Sequence, residues 1–381
     1  MNALYLHKYE LYVDNRVSNE YKEIIMAIPF PEPSPPIRIR SSTEIQALDN
    51  HFRKREVPKS KTNKLLLASW NIANLGAQER SKGAREVIAH ILKRFDLIAV
   101  QEINDDYRQF KKIVDIMGDK FDFFMSDTAG NDERLAYVYN TEKISAGKLF
   151  GEVALRPREY PKRDVKVHYR EKRKDKIQVF KKLRYTPFDR NPYIGSFSCG
   201  EIDFVLANVH LYFGKFQQSS KEKDRLKYAR RVLEIHALAK WAKDRSVGGN
   251  AWDKDIILLG DMNVPNVEHN EATFKALEEF SWTSVDFYND TNMAQPESLS
   301  RIGGSNLGND KTYDQIAFAP TALKNRISNY GVFDFDAAIF ESKWSSLLKM
   351  HSHSKAVKAF NAYLRHYVSD HRPIWVELKT D

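Results

Sequence analysis

Seven short apolar runs between Leu65 and Val376 each carry, at one end, a residue able to do chemistry. Four finish on it: L-L-L-A-S-W-N on Asn71, L-I-A-V-Q-E on Glu102, F-V-L-A-N-V-H on His210, and I-I-L-L-G-D-M-N on Asp261 and Asn263. Three begin on it: E-R-L-A-Y-V-Y with Glu133, Y-D-Q-I-A-F with Asp314, and D-H-R-P-I-W-V with Asp370 and His371. Each has an ordinary explanation alone. Asn71 can close a strand, G-D-M-N and S-D-H-R-P can form turns, and His210 can be a satisfied core histidine. The recurrence is what sets them apart.

The residue types fit one task. Two amides (Asn71, Asn263) and three carboxylates (Glu102, Asp261, Asp370) are hard oxygen ligands of the kind Mg²⁺ or Mn²⁺ takes, with water completing the shell. His210 and His371 can act as general acid, general base or transition-state stabiliser when a carboxylate orients them. Neither a cysteine cluster nor H-E-x-x-H points to zinc. The combination predicts metal-assisted hydrolysis of a phosphate ester.

The elements that position these groups follow from pattern. Runs of this length, rich in β-branched and aromatic residues, predict strands buried on at least one face. If the strands that finish on polar residues run opposite to those that begin on them, all seven ends meet at one edge. A wholly parallel sheet cannot do that, so the expected class is α+β, with antiparallel strands and covering helices. Helical spacing marks residues 83–94 (Ala84, Val87, Ile88, Ile91, Leu92) and 224–243 (Leu226, Ala229, Val232, Leu233, His236, Ala237). A further helix is expected near 43–55.

Composition bounds the rest. A chain of 381 residues, 42% hydrophobic and 12% aromatic, can bury a large core and is not disordered in type. No apolar run reaches the roughly 18 residues of a membrane span. The start, M-N-A-L-Y-L-H-K-Y-E-L-Y-V, carries charges where a signal peptide needs an apolar core. The single Cys199 excludes an internal disulfide, and a cytoplasmic location is expected. Residues 1–63 read as an N-terminal extension, with an alternating stretch from Leu4 to Val13 and a proline cluster, P-E-P-S-P-P, that marks a linker or extended crossing. Residues 64–381 read as the catalytic domain.

The net charge of +9 is local. Residues 156–190 hold fourteen Lys/Arg and five Asp/Glu, so this one segment carries the whole excess. Such a patch on a neutral body is a footprint for a polyanion, nucleic acid or an anionic membrane. Its aromatics (Tyr160, Tyr169, Phe180, Tyr185, Phe188) are suited either to stacking bases or to packing.

W-N at 70–71, V-Q-E at 100–102, G-D-M-N at 260–263, Y-D-Q-I at 313–316 and S-D-H-R-P at 369–373 resemble, in order, the motifs of the endonuclease/exonuclease/phosphatase superfamily. The resemblance covers roughly residues 65–378 and implies a four-layer α/β sandwich of two mixed, mainly antiparallel sheets flanked by helices. It is strongest to deoxyribonuclease I-like nucleases. N-D-E-R-L-A-Y-V-Y, D-R-N-P-Y-I-G-S-F and A-N-V-H-L match that group's Glu-Arg strand start, Arg-Pro strand start and Asn-x-His run.

The resemblance implies two histidine–carboxylate pairs, Glu133 with His210 and Asp314 with His371. It assigns metal binding to Glu102, helped by Asn71 and Asp370. Asp261 positions or deprotonates the attacking water and Asn263 holds it or a phosphate oxygen. The resemblance also implies that His371 stabilises the pentavalent transition state, that His210 is a second acid/base candidate able to protonate the leaving oxygen, with the general acid left open between the two, and that Arg190 contacts the phosphate. Asn104 and Asn131 stand where the deoxyribonuclease I-like group has a groove-contacting arginine and tyrosine. With Arg190 and Asn71 they are the candidate substrate contacts, and they put plain duplex DNA in question. The expected function is a Mg²⁺-dependent nuclease acting on DNA, or RNA. The alternative is a phosphatase or phosphodiesterase acting on phosphoinositides or phospholipids. A scaffold without activity is disfavoured, because every position expected to carry chemistry holds a competent residue.

Overall fold

The computed structural model describes residues 30–213, 221–247, 251, 253–268, 271–288 and 302–381. The alternating stretch from Leu4 to Val13 lies outside the described residues. In chain order the first elements are α1 (Ser41–Lys54), β1 (Lys64–Leu75), α2 (Lys82–Leu92), β2 (Leu97–Asn104) and α3 (Arg108–Met117). Strands β3 (Phe121–Met125), β4 (Glu133–Asn140) and β5 (Ser145–Glu152) come next, then a hairpin of β6 (Lys162–Glu171) and β7 (Lys174–Arg184). β8 (Tyr193–Cys199), β9 (Ile202–His210), α4 (Glu222–Ser246), β10 (Ile256–Asp261), α5 (Ala272–Glu278) and β11 (Thr283–Ser284) follow. The chain closes with β12 (Asp314–Phe318), β13 (Ile327–Val332), α6 (Glu341–Met350), α7 (His353–Tyr367) and β14 (Ile374–Lys379).

Among the described residues, twelve strands form two six-stranded sheets, ordered β13-β14-β1-β2-β4-β3 and β11-β12-β10-β9-β8-β5, and β6 and β7 pair separately. In each, a central parallel pair (β1 and β2, β9 and β10) is bordered on both sides by antiparallel strands. Strands β9 and β10 finish on their polar residues, β1 and β2 carry theirs in the second half, β4 and β12 begin on theirs, and Asp370 and His371 stand just ahead of β14, so the opposed directions expected from the sequence are present.

Strand pleating then sorts the side chains into layers, because successive residues face opposite ways. Leu65, Leu67, Leu97, Ala99, Tyr137, Leu206, Ile257, Leu259, Ile316, Ile374 and Val376 fill the space between the sheets. Leu66, Ala68, Trp70, Ile98 and Val100 face α1, α2, α3, α6 and α7, while Val205, Ala207, Ile256 and Leu258 face α4 and α5. The result is an α+β sandwich of four layers: helices, sheet, sheet, helices.

The expected helices form with small differences. α2 starts at a Ser81 cap whose hydroxyl accepts from the Ala84 N–H at 3.3 Å, and Ala84, Val87, Ile88, Ile91 and Leu92 are buried. α4 is longer than its apolar pattern. Leu226, expected on its buried face, is 43% exposed. The hairpin claims the neighbouring side instead, with Tyr169 4.1 Å from the Arg225 guanidinium. In α1, Leu48 and Phe52 join the outer core, so the described part of the extension packs onto the domain.

The basic segment is the β6–β7 hairpin. Val165 and Val167 are buried against α4 while Lys162, Lys166 and Arg170 point out. Its aromatics pack: Tyr160 meets Tyr185 edge-on, Tyr185 meets Phe188, and Phe180 lies against the core.

Polar groups also tie the sheets together. Asn208 of β9 donates to the carbonyls of Val100 (3.1 Å) and Ala136 (2.9 Å) in the other sheet, and accepts from Gln101 Nε2 at 2.7 Å. Removing one partner strands the rest in a dry interface. Asn208→Ala should therefore cost about 3 kcal/mol, read as a lower urea midpoint with an unchanged slope. A loss below about 1 kcal/mol would mean that the tie is dispensable.

Candidate active site

The parity that fills the core also aims the polar ends. Asn71, Glu133, His210, Asp261 and Asp314 each share the parity of the inward-facing residues of their strand, so each continues the inter-sheet face past the last core residue. Glu102 does not, since the inward residues of β2 are Leu97, Ala99 and Gln101. A bulge corrects this: the pairing of β2 with β4 shifts between Val100 and Ile103, and Glu102 sits at φ +62°. The turned carboxylate accepts from Asn71 Nδ2 and from the Asn74 N–H, both at 2.8 Å. Gly260, at φ +137°, is needed because any Cβ there would collide with the Val209 carbonyl of the parallel neighbour.

Both expected histidine–carboxylate pairs form, and each crosses between the sheets. His210 Nδ1 lies 2.8 Å from Glu133 Oε2, and His371 Nδ1 lies 2.8 Å from Asp314 Oδ2. The two Nε2 atoms converge on one oxygen, Asp261 Oδ2, at 3.6 and 3.7 Å. Asn71 Nδ2 donates to that oxygen at 3.1 Å, and the Asn263 N–H donates to Asp261 Oδ1 at 2.9 Å. Among the described residues, ligand-type atoms within 4.8 Å of one another come from Glu102, His210 and Asp261, and from Asp261, Asp314 and His371.

Other expected residues lie differently. Asp370 belongs to neither group and sits half-buried, 3.7 Å from Arg365. Arg190, expected at the phosphate, is buried. It donates to the carbonyls of His210 (2.9 Å) and Leu211 (3.3 Å) and lies 3.4 Å from Glu133, so its fork is occupied in fixing the His210 strand end. Asn104 is buried and accepts from the Ala77 N–H at 3.1 Å. Asn131 is exposed at φ +62°. Asn263 turns its side-chain amide to the Leu211 carbonyl at 2.8 Å.

Sequence reasoning missed several supports. Ser369 donates to the Asn71 carbonyl at 2.7 Å and accepts from the His371 N–H at 3.0 Å, joining two motifs. Trp70 Nε1 donates to the His371 carbonyl at 2.8 Å. Buried Arg80 donates to the carbonyls of Ala73 (2.6 Å) and Val368 (3.2 Å). Buried Glu234 accepts from the N–H groups of Asp189 (3.1 Å) and Tyr212 (2.6 Å). Tyr313 places its ring 5.9 Å from that of His371. Ser369 and Trp70 lie inside recognised motifs, which was the available signal. Arg80 and Glu234 had none.

The charges settle by burial against pairing. Burial opposes a charge on His371, but Asp314 and then Asp261 outweigh it, and its pKa is well above the ordinary histidine value. For His210, burial and Arg190 are outweighed by Glu133 and Asp261, again raising it. Burial would raise Asp261, yet His371 and His210 hold it low. Burial, then Glu133, raises Glu102. Burial pulls Arg80 down to about 10, so it stays charged at neutral pH.

No family model matches the chain, and no curated protein matches it. Several solved structures are similar. The mannosyl-6-phosphatase of Bacteroides thetaiotaomicron shares 19% identity over 82% of this chain and 99% of that one, with a TM-score of 0.44. The human Nocturnin catalytic domain with bound sulfate shares 11%, over 83% and 94%, at 0.45. Truncated Caenorhabditis elegans TDP2 shares 13%, over 83% and 97%, at 0.43.

A raised histidine pKa stabilises the fold fully below the unfolded value, about 6.5, and that stabilisation is lost as pH rises through the folded value. NMR titration of the metal-free chain should therefore find His371 protonated above pH ~6.5, and Asp314→Asn should bring it down. A wild-type value at or below the ordinary one would contradict the pairing. The two mixed six-stranded sheets, with five ordered motifs meeting at one end of them, form the four-layer sandwich that the motif resemblance implies.

Proposed function

We propose that the chain is a divalent-metal-dependent phosphodiesterase and that its substrate is nucleic acid, DNA first. The observation that carries the reading is the position of Asp261, its carboxylate shared by two imidazoles that are each backed by a buried carboxylate. That arrangement suits a reaction needing one proton taken and one given.

Asn71 Oδ1 is buried without a hydrogen-bond partner, beside the carboxylates of Glu102 and Asp261. These hard oxygen donors fit Mg²⁺ or Mn²⁺. A bound ion would polarise the phosphoryl group and offset its growing charge. Asp261, fixed by Asn71 and the Asn263 N–H, orients the attacking water and takes its proton as the new P–O bond forms. His371, held in one tautomer by Asp314, keeps its proton and donates to a non-bridging oxygen. His210 gives its proton to the leaving oxygen as the ester bond breaks. Arg190 acts through His210, keeping its strand end in place.

The hairpin is the proposed substrate surface. It is inserted between β5 and β8 where Glu152 pairs with Tyr193, at the same end as Arg190. Its turn lies toward the start of α4, where Arg225 meets Tyr169. Arg225 is six residues, about 9 Å of helix rise, from Arg231, which donates to the Asn263 carbonyl. On this reading the basic turn projects past the start of α4, on the side from which Arg231 reaches Asn263. One observation favours the lipid or inositol phosphate reading: Ile177 (57% exposed) and Val179 (42% exposed) share the outer face with Lys166.

A Mg²⁺-supplemented panel of duplex DNA, single-stranded DNA, RNA, abasic DNA and phosphoinositide tests the assignment. DNA should be cut best, and turnover confined to the lipid would overturn it. Excess chelator should abolish hydrolysis and Mg²⁺ or Mn²⁺ restore it, whereas undiminished rates in chelator would sink the metal mechanism. Glu102→Ala and His371→Ala should each lower kcat by about 10²–10⁴ in a folded chain. Changing Lys172, Arg173 and Lys174 to serine should raise KM more than it lowers kcat and flatten the salt dependence. An unchanged KM would leave the hairpin a solvated face.

A further inference from the structure

The turn that carries Asp370 and His371 is gripped on both flanks by residues that precede β1. On the α7 side the contacts are dense. The Phe30 N–H donates to Gln78 Oε1 at 2.8 Å and its carbonyl faces His366 Nδ1 at 2.9 Å, while Gln78 Nε2 donates to the His366 carbonyl. Tyr367 donates to Glu32 at 2.8 Å and accepts from the Ile37 N–H at 3.2 Å, and Tyr363 donates to the Pro35 carbonyl at 2.8 Å. Arg365 lies 5.2 Å over the Phe30 ring and 3.7 Å from Asp370. All of this bears on the last turn of α7, two residues before Ser369.

On the other flank, His51 and Arg55 of the extension hold the Asp334 carboxylate, the former at 2.7 Å. Two residues on, Asp336 takes the Arg372 guanidinium in a two-bond fork at 2.7 and 2.6 Å. Phe52 stacks on Phe333, whose N–H donates to the Pro373 carbonyl at 2.8 Å. Residues 369–372 are thus set between two anchors contributed by one segment.

We propose that residues 30–55 are a positioning clamp, which sets Asp370 and His371 against the groups carried by the other sheet. The inference rests on those two residues belonging to a hydrolytic site, and it does not depend on the substrate. Side chains of the clamp touch no reacting atom. Their effect is on the placement of His371 Nε2 relative to Asp261, where an ångström matters.

The test uses the full chain with Phe30→Ala, Tyr367→Phe and His51→Leu, assayed on bis(p-nitrophenyl) phosphate with Mg²⁺. Each should lower kcat about tenfold or more with KM within twofold, and Phe30→Tyr, which keeps a ring beneath Arg365, should retain wild-type kcat. Hydrogen exchange without metal should speed up in the peptide spanning 366–373 and stay unchanged in β1 and β9. Wild-type kcat with unchanged exchange in all three variants would overturn the clamp. Exchange rising equally across β1 and β9 would reduce it to a general contribution to stability. If wild-type protein fails to turn over the probe, the phosphodiesterase reading falls, and the exchange pattern still decides for or against the clamp.

Discussion

Neither sheet holds a complete proton-handling pair. Glu133 and His371 come from one sheet, His210 and Asp314 from the other, and each histidine finds its carboxylate across the gap. The site therefore exists only while the sheets keep their relative position. The interface is built accordingly: a wide apolar layer supplies most of the cohesion, and the Asn208–Gln101 tie fixes the register that an apolar layer alone leaves loose. The crossed pairs add charge-assisted bonds at the cleft end of the same interface.

Much of this was legible because a strand has a period of two. A polar residue that ends an apolar run and shares parity with its inward members must emerge at the cleft. Asn71, His210, Asp261, Glu133 and Asp314 obey that rule, and the opposed strand directions follow from which end of the run each occupies. Glu102 breaks the rule. Its aim depends on a bulge and a left-handed backbone, and nothing in V-Q-E-I announces either. The resemblance placed it where pattern could not.

Other residues were misplaced for a different physical reason. Sequence shows that Arg190 has a fork but not which groups engage it, and two backbone carbonyls, Asp189 and Glu133 do so. Leu226 fits the helical stripe of α4, yet the stripe is set by what covers it, and the hairpin covers the Arg225 side. The proline-rich stretch showed only that residues 31–36 could be neither helix nor central strand. That the same stretch lies along the end of α7 depends on tertiary contacts that no local pattern encodes.

The basic hairpin has its own consequence. It leaves the sheet after β5 and returns at β8, and these strands are hydrogen-bonded neighbours, so its two ends lie about one strand spacing, ~5 Å, apart. Closing a longer or shorter segment across so small a gap changes the chain entropy only logarithmically. Loop closure therefore sets little constraint on the hairpin's length, and what ties it to the domain is the packing of Val165 and Val167 on α4, away from Asp261 and the paired histidines.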